Sequence, residues 1–175
     1  MNTADRLIES TRELLWERGY TGTSPRAIQE RAGAGQGSMY HHFTGKPDLA
    51  LAAIRRTADD LRAKAEAQLG GPGTPAERIT AYLRRERDVL KGCPIGRLTQ
   101  DPDVMADPVL RAPIEETFAW LRNRLAEVLA EEDRPEATAA AIVAVLQGGY
   151  VLARAAGSTD PFDQAITGIV ELLKR

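Results

Sequence analysis

Ser24-Pro25-Arg26-Ala27-Ile28-Gln29-Glu30-Arg31-Ala32-Gly33-Ala34-Gly35-Gln36-Gly37-Ser38-Met39-Tyr40-His41-His42-Phe43 reads as two short helices around a glycine-bearing turn. Thr23 and Ser24 offer an N-cap and Pro25 suits the first helical position, so a helix opens there. Gly33 supplies the residue tolerant of positive φ that a tight turn needs. The second helix runs from about Gln36 to Phe43, with Gly35 as a weaker cap. Ala27, Ile28, Ala32, Met39 and Phe43 can hold the pair together. This is the layout of a helix-turn-helix, whose second helix enters the major groove of DNA. From Arg31 to Pro47 there is no Asp or Glu, although polar and aromatic groups abound. A face that meets phosphates must be acid-free, so the pattern suits DNA. A solvated helical hairpin with no ligand fits the same pattern.

Outward from this stretch, helical periodicity dominates. Leu7, Ile8, Thr11, Leu14 and Leu15 mark an amphipathic helix from Thr3 to Arg18, closed by Gly19. Gly45-Lys46-Pro47-Asp48 opens a long helix to about Leu69, and Gly70-Gly71-Pro72-Gly73-Thr74-Pro75 breaks it. A further helix is expected from Pro75 to Leu90, with a short one after Gly92-Cys93-Pro94. Pro102, Pro108 and Pro113 punctuate the approach to a helix ending near Glu131. The last two helices are expected over Pro135–Ala156 and Pro161–Lys174. The fold class is all-α: about nine helices, an N-terminal three-helix bundle with the helix-turn-helix, and a helical C-terminal domain. The expected division is 1–46 for the DNA-binding domain and 47–175 for ligand binding and dimerisation.

Composition narrows the function further. Lysine and arginine number 23 against 25 acids, a net charge of -2, which excludes a chain coated in nucleic acid but not one basic face. The single cysteine excludes an intrachain disulfide and fits a reducing cytoplasm. No signal peptide or membrane span is expected. No nucleophile–base pair, phosphate loop or metal-ligand spacing stands out, so neither catalytic nor metal residues nor a cofactor are assigned. Adjacent His41 and His42 point about 100° apart on a helix and have no third ligand nearby in sequence.

Gly19-Tyr20, Thr23-Ser24, Ile28, Ala32-Gly33, Gly37 to Phe43, Lys46 and Leu49 together resemble the N-terminal domain of the TetR family of repressors. Gly92-Cys93-Pro94-Ile95-Gly96 and Gln147 to Arg154 resemble its LmrA/YxaF-like branch. The resemblance implies that Gln36, Ser38 and Tyr40 face base edges or nearby phosphates and that His41 and His42 lie along the backbone. It also implies that Thr23 or Ser24, and Lys46, bind phosphates at helix starts. Gly35 and Gly45 depart from the family's usual Ser or Thr and Ser, removing two side-chain caps.

The same resemblance implies an effector pocket among the C-terminal helices, lined by Tyr82, Leu98, Met105, Phe118, Leu121, Gln147 and Tyr150. A Met-plus-aromatic lining suits an apolar or aromatic small molecule, although each residue can equally be ordinary core. Gln100, Arg97 and Gln147 are polar candidates for orienting the ligand. Ala140, Ala141, Ala144, Val145, Gly148 and Leu152, with Ile166, Ile169, Val170 and Leu173, suit a two-fold four-helix interface. The expected partners are therefore an inverted-repeat DNA operator, an effector and a second copy of the chain. Two alternatives stay open: a helical small-molecule-binding protein without DNA binding, and a redox or electrophile sensor based on Cys93. That thiol either gains thiolate character at a helix N-terminus or is an inert part of the core.

Overall fold

The computed structural model describes residues 2–174. Among them lie nine α-helices and no strand: α1 Thr3–Arg18, α2 Pro25–Ala32, α3 Gln36–His42, α4 Lys46–Leu69, α5 Pro75–Arg84, α6 Pro102–Ala106, α7 Pro108–Val128, α8 Pro135–Ala156 and α9 Asp160–Leu172. A 3-10 turn over Gly96–Gln100 precedes α6. The chain forms two compact units: Met1–Asp60 with Pro94–Glu115, and Leu61–Cys93 with Glu116–Arg175. Packing thus groups the segment after Cys93 with the N-terminal helices.

In the first unit, α1 to α3 close on Leu7, Leu14, Ile28, Ala32, Met39 and Leu49, with Ala27 and Phe43 packed against them. Caps set the boundaries. Asn2 accepts from the Asp5 N–H to start α1, and Ser24 accepts from Ala27 to start α2. Gly33, at φ 58°, ends α2 in the left-handed region, and the Ala34 N–H reaches the Gln29 carbonyl at 3.0 Å. That is the hydrogen bonding of a Schellman motif, and it reverses the chain into α3. As its glycine implies, α3 starts with no side-chain cap. The entry to α4 is fixed by Asp48, which reaches back to the residue before Gly45. The Asp48 carboxylate accepts from the Thr44 N–H at 3.0 Å and from its hydroxyl at 3.3 Å.

In the second unit, α8 and α9 pack together over a core that includes Leu69, Ile79, Tyr82, Leu125, Ile142, Leu146, Phe162 and Ile166. A Cβ at Gly149 would lie 2.9 Å from the Phe162 ring, so this glycine lets α9 approach, whereas Gly148 faces open space. Ile166, Ile169 and Val170 are buried in that core. The α9 stripe expected at an interface is thus spent inside the chain, because α9 buries its most apolar face against α8. By length and composition alone, α8 is apolar enough to cross a bilayer. Ile142, Val143, Val145, Leu146, Val151 and Leu152 together with its alanines account for this, and its Ala139, Ile142, Leu146 and Ala153 serve the core.

Two boundaries differ from expectation. α5 stops at Arg84 rather than near Leu90, because Arg87 folds back and donates to the carbonyls of Tyr82, Leu83 and Arg85 at 2.6 to 2.8 Å. These bonds satisfy groups that another helical turn would have used. Leu90, the expected end of that helix, is exposed. Pro113 lies inside α7 rather than before it. Its position near the helix start removes one backbone bond without ending the helix.

Candidate nucleic-acid interface

α3 is held by its inner face and leaves its outer face to solvent. Met39 is fully buried among α1, α2 and α4 residues, and Gln29 of α2 donates to its sulfur at 3.3 Å. Gln36, Tyr40, His41 and His42 are exposed and Ser38 is half-buried. Tyr40 keeps 52% of its surface exposed. The two imidazoles meet edge to face at 4.8 Å. No carboxylate lies on α3, and the flanking acids are engaged: Glu30 with Arg26, Asp48 with Thr44. The outcome is a short helix presenting donors, acceptors and rings with no fixed negative charge.

The other residues assigned to phosphate divide. Ser24 is exposed at the start of α2; its oxygen caps Ala27, and its proton remains available to donate. Thr23 is buried, and its hydroxyl donates to the Gly19 carbonyl at 2.6 Å. Its side chain is therefore a structural clasp of the turn between α1 and α2. Lys46 is half-buried, with Nζ 3.9 Å from the centre of the Tyr20 ring. Burial lowers its pKa, while Asp101 and Asp103 act in the opposite direction. In this state the ammonium is turned toward the protein. Arg31, within the acid-free stretch, reaches back to Glu17 of α1 at 2.8 Å.

The sequence reading missed Asp101, which fastens the turn before α2. This buried carboxylate caps α6 through the N–H groups of Asp103 and Val104. It also accepts from the Thr21 N–H and hydroxyl, each at 2.8 Å. A Cβ on Gly19 would come within 2.9 Å of its oxygen, so the close approach needs glycine. Arg97 adds a bond to the Glu17 carbonyl at 2.9 Å. The one local signal was Asp101 before Pro102, an N-cap followed by a proline at N1; nothing in sequence joined it to Thr21. Burial acts to raise the Asp101 pKa, but the bonds from Thr21, Val104 and Tyr20 outweigh it and the net shift is downward.

A depressed folded pKa contributes stability that is present above the unfolded value, about 3.9, and is lost as pH falls through the folded one. Asp101→Ala leaves the Thr21 N–H without its acceptor, at a cost of about 2 to 3 kcal/mol. The melting temperature should fall by about 4 to 10 °C at neutral pH, with the gap to wild type narrowing below about pH 4. A gap that stays constant into acid would show that the charge of Asp101 contributes nothing.

Of the pocket residues, Tyr82, Leu121 and Tyr150 share the core cluster of the second unit, and Phe118 packs against it. Gln147 is half-buried on α8. Leu98 and Met105 belong to the first unit and not to that cluster. Cys93 packs against the second core, and the 3-10 turn begins only at Gly96, so the thiol does not sit at a helix start. Arg85 and Arg87, assigned no role from sequence, stand beside Tyr82 with guanidinium carbons 5.2 and 5.3 Å from its ring centre.

Comparison with known proteins agrees with this architecture. The profile of bacterial regulatory proteins of the tetR family matches residues 7–53. The C-terminal domain of LmrA/YxaF-like transcriptional regulators matches residues 74–167. This chain belongs to the TetR family. The regulator is 26% identical to the HTH-type transcriptional regulator LmrA of Bacillus subtilis, over 99% of this chain and 98% of LmrA. A TetR transcriptional regulator from Chloroflexus aurantiacus superposes with a TM-score of 0.88 at 25% identity, over 99% of this chain and 94% of that one. The regulatory protein TetR from Rhodobacter sphaeroides shares the fold, with a TM-score of 0.83 at 24% identity over 95% and 96% of the two chains. The protein is thus a DNA-binding transcriptional regulator and not an enzyme. Regulators of this family bind DNA operators and are typically dimers with small-molecule effectors.

Proposed function

We propose that this regulator is a repressor, acting in the cytoplasm, that leaves an inverted-repeat operator when a small molecule binds its C-terminal helices. The observation that carries the DNA half is the exposed, acid-free face of α3 on a helix whose inner face is locked by Met39. Gln36, Ser38 and Tyr40 read base edges or neighbouring phosphates, and His41, His42 and Ser24 follow the backbone. Two copies joined through the outer face of α8 present two such helices to successive major grooves. The pocket is drawn from Tyr82, Phe118, Leu121, Gln147 and Tyr150, all of the second unit.

The switch is a two-state equilibrium in which the effector favours the form with the wrong spacing for DNA. α4 is the natural carrier: it gives Leu49 to the first core and Ala65 and Leu69 to the second. The test is a titration of the purified protein against its own upstream DNA at two salt concentrations. Selective binding that weakens steeply at the higher salt is expected. Binding no tighter than to random DNA at either salt would favour a small-molecule-binding protein that does not act on DNA.

A further inference from the structure

Past the end of α5, two arginines share one aromatic corner of the second unit and are used very differently. Arg87 spends its guanidinium on the carbonyls of Tyr82, Leu83 and Arg85. The Arg85 side chain makes no hydrogen bond or ion pair among the described residues, and its Nε and Nη1 are buried without a partner. Both cations lie beside the Tyr82 ring, and Tyr82 and Tyr150 belong to one core cluster with Cys93 packed against it. Burial and the neighbouring Arg87 charge lower the Arg85 pKa, and the largest opposing influences come from Tyr82, Tyr150 and Cys93. Burial also pushes the Tyr150 hydroxyl up to about 12, so this phenol is neutral near pH 7. Two guanidinium groups thus meet at this corner, and among the described residues neither has an ion-pair partner. Burying such a group without a counter-charge is costly, and natural proteins seldom do so without a functional return.

We propose that Arg85 is the recognition point for an anionic effector, a small carboxylate with a flat apolar body. The carboxylate takes two of the unused guanidinium donors at once, which a planar fork allows and an ammonium does not. The ring of the ligand lies against Tyr82 and Tyr150, and Arg87 adds long-range attraction while keeping its own bonds. The inference rests on the reading of the protein as effector-responsive and names the effector's chemical class.

The experiment is a titration of the full chain, followed by calorimetry and melting temperature, with benzoate, cinnamate and naphthoate and with their neutral amides. At least one acid should bind saturably and at least about tenfold more tightly than its amide, the effect of one charge-assisted contact. Arg85→Met should abolish that preference, and Arg85→Lys should keep part of it. Without ligand, Arg85→Met should melt about 2 to 4 °C above wild type, because an uncompensated charge has been removed. The proposal is overturned if the amides bind as well as the acids or if no acid binds. A lower ligand-free melting temperature in Arg85→Met would overturn it too, since that marks a structural arginine. Loss of dimers in that variant would place the counter-charge on a second copy and equally sink the idea. None of these readouts contains DNA, so the repressor reading stands or falls separately on the operator titration.

Discussion

Leu152→Glu should leave the chain folded but monomeric and should lower operator affinity by about a hundredfold or more. Val151 and Leu152 expose 67% and 55% of their surface on α8, beside exposed Ala140, Ala141 and Ala144 and the open Gly148. An apolar stripe with small residues allows a second helix to approach closely, and a two-fold axis would pair it with its own copy. A carboxylate placed there faces its symmetry mate across a desolvated interface, where like charges are strongly unfavourable. Each half-site then binds alone and the gain from tethering is lost. Sedimentation equilibrium and an operator titration on one preparation would check both parts. A variant that stays dimeric, with affinity within about threefold of wild type, would mean that the copies meet elsewhere, since the tethering gain is of order a hundredfold.

The second large effect is expected at the reading helix. Tyr40→Ala should weaken operator binding about tenfold or more, in line with the loss of one groove contact. The same change should move the melting temperature by no more than about 2 °C, because a half-exposed ring without a partner contributes little to folding. Tyr40 is 52% exposed, next to the fully buried Met39 that anchors α3. That neighbour is the control: Met39→Ala should melt the domain and lose binding for a different reason. Unchanged operator affinity in a folded Tyr40→Ala would move the reading face off this side of α3.

The helix-turn-helix was legible because its instructions are short-range. Ser24 and Pro25 start α2, Gly33 at positive φ ends it, and the three-and-four spacing of apolar residues places the core face. For the same reason α1, α4 and α8 lie where periodicity, glycine and proline put them: Thr3–Arg18, Lys46–Leu69 and Pro135–Ala156. The failures have a common cause. Thr23 has a good capping side chain, yet a partner four residues back, the Gly19 carbonyl, takes its hydroxyl. α5 has the composition to continue, yet Arg87 competes successfully for its last carbonyls. The apolar stripe of α9 reads equally well as core or interface, and only the position of α8 decides.

By itself the sequence determined the helical class, the turn that makes a reading head, the acid-free face of α3 and the family. Each rests on local backbone preference or on which groups are absent, and neither needs a distant partner. The tertiary structure alone decided which polar groups are spent and which remain available. Asp101 meets Thr21 across 80 positions, Lys46 settles on Tyr20, and Arg85 stands by the Tyr82 ring with its Nε and Nη1 unpartnered. Burial and pairing set the energy of a charge, and both arise only when remote segments share a core.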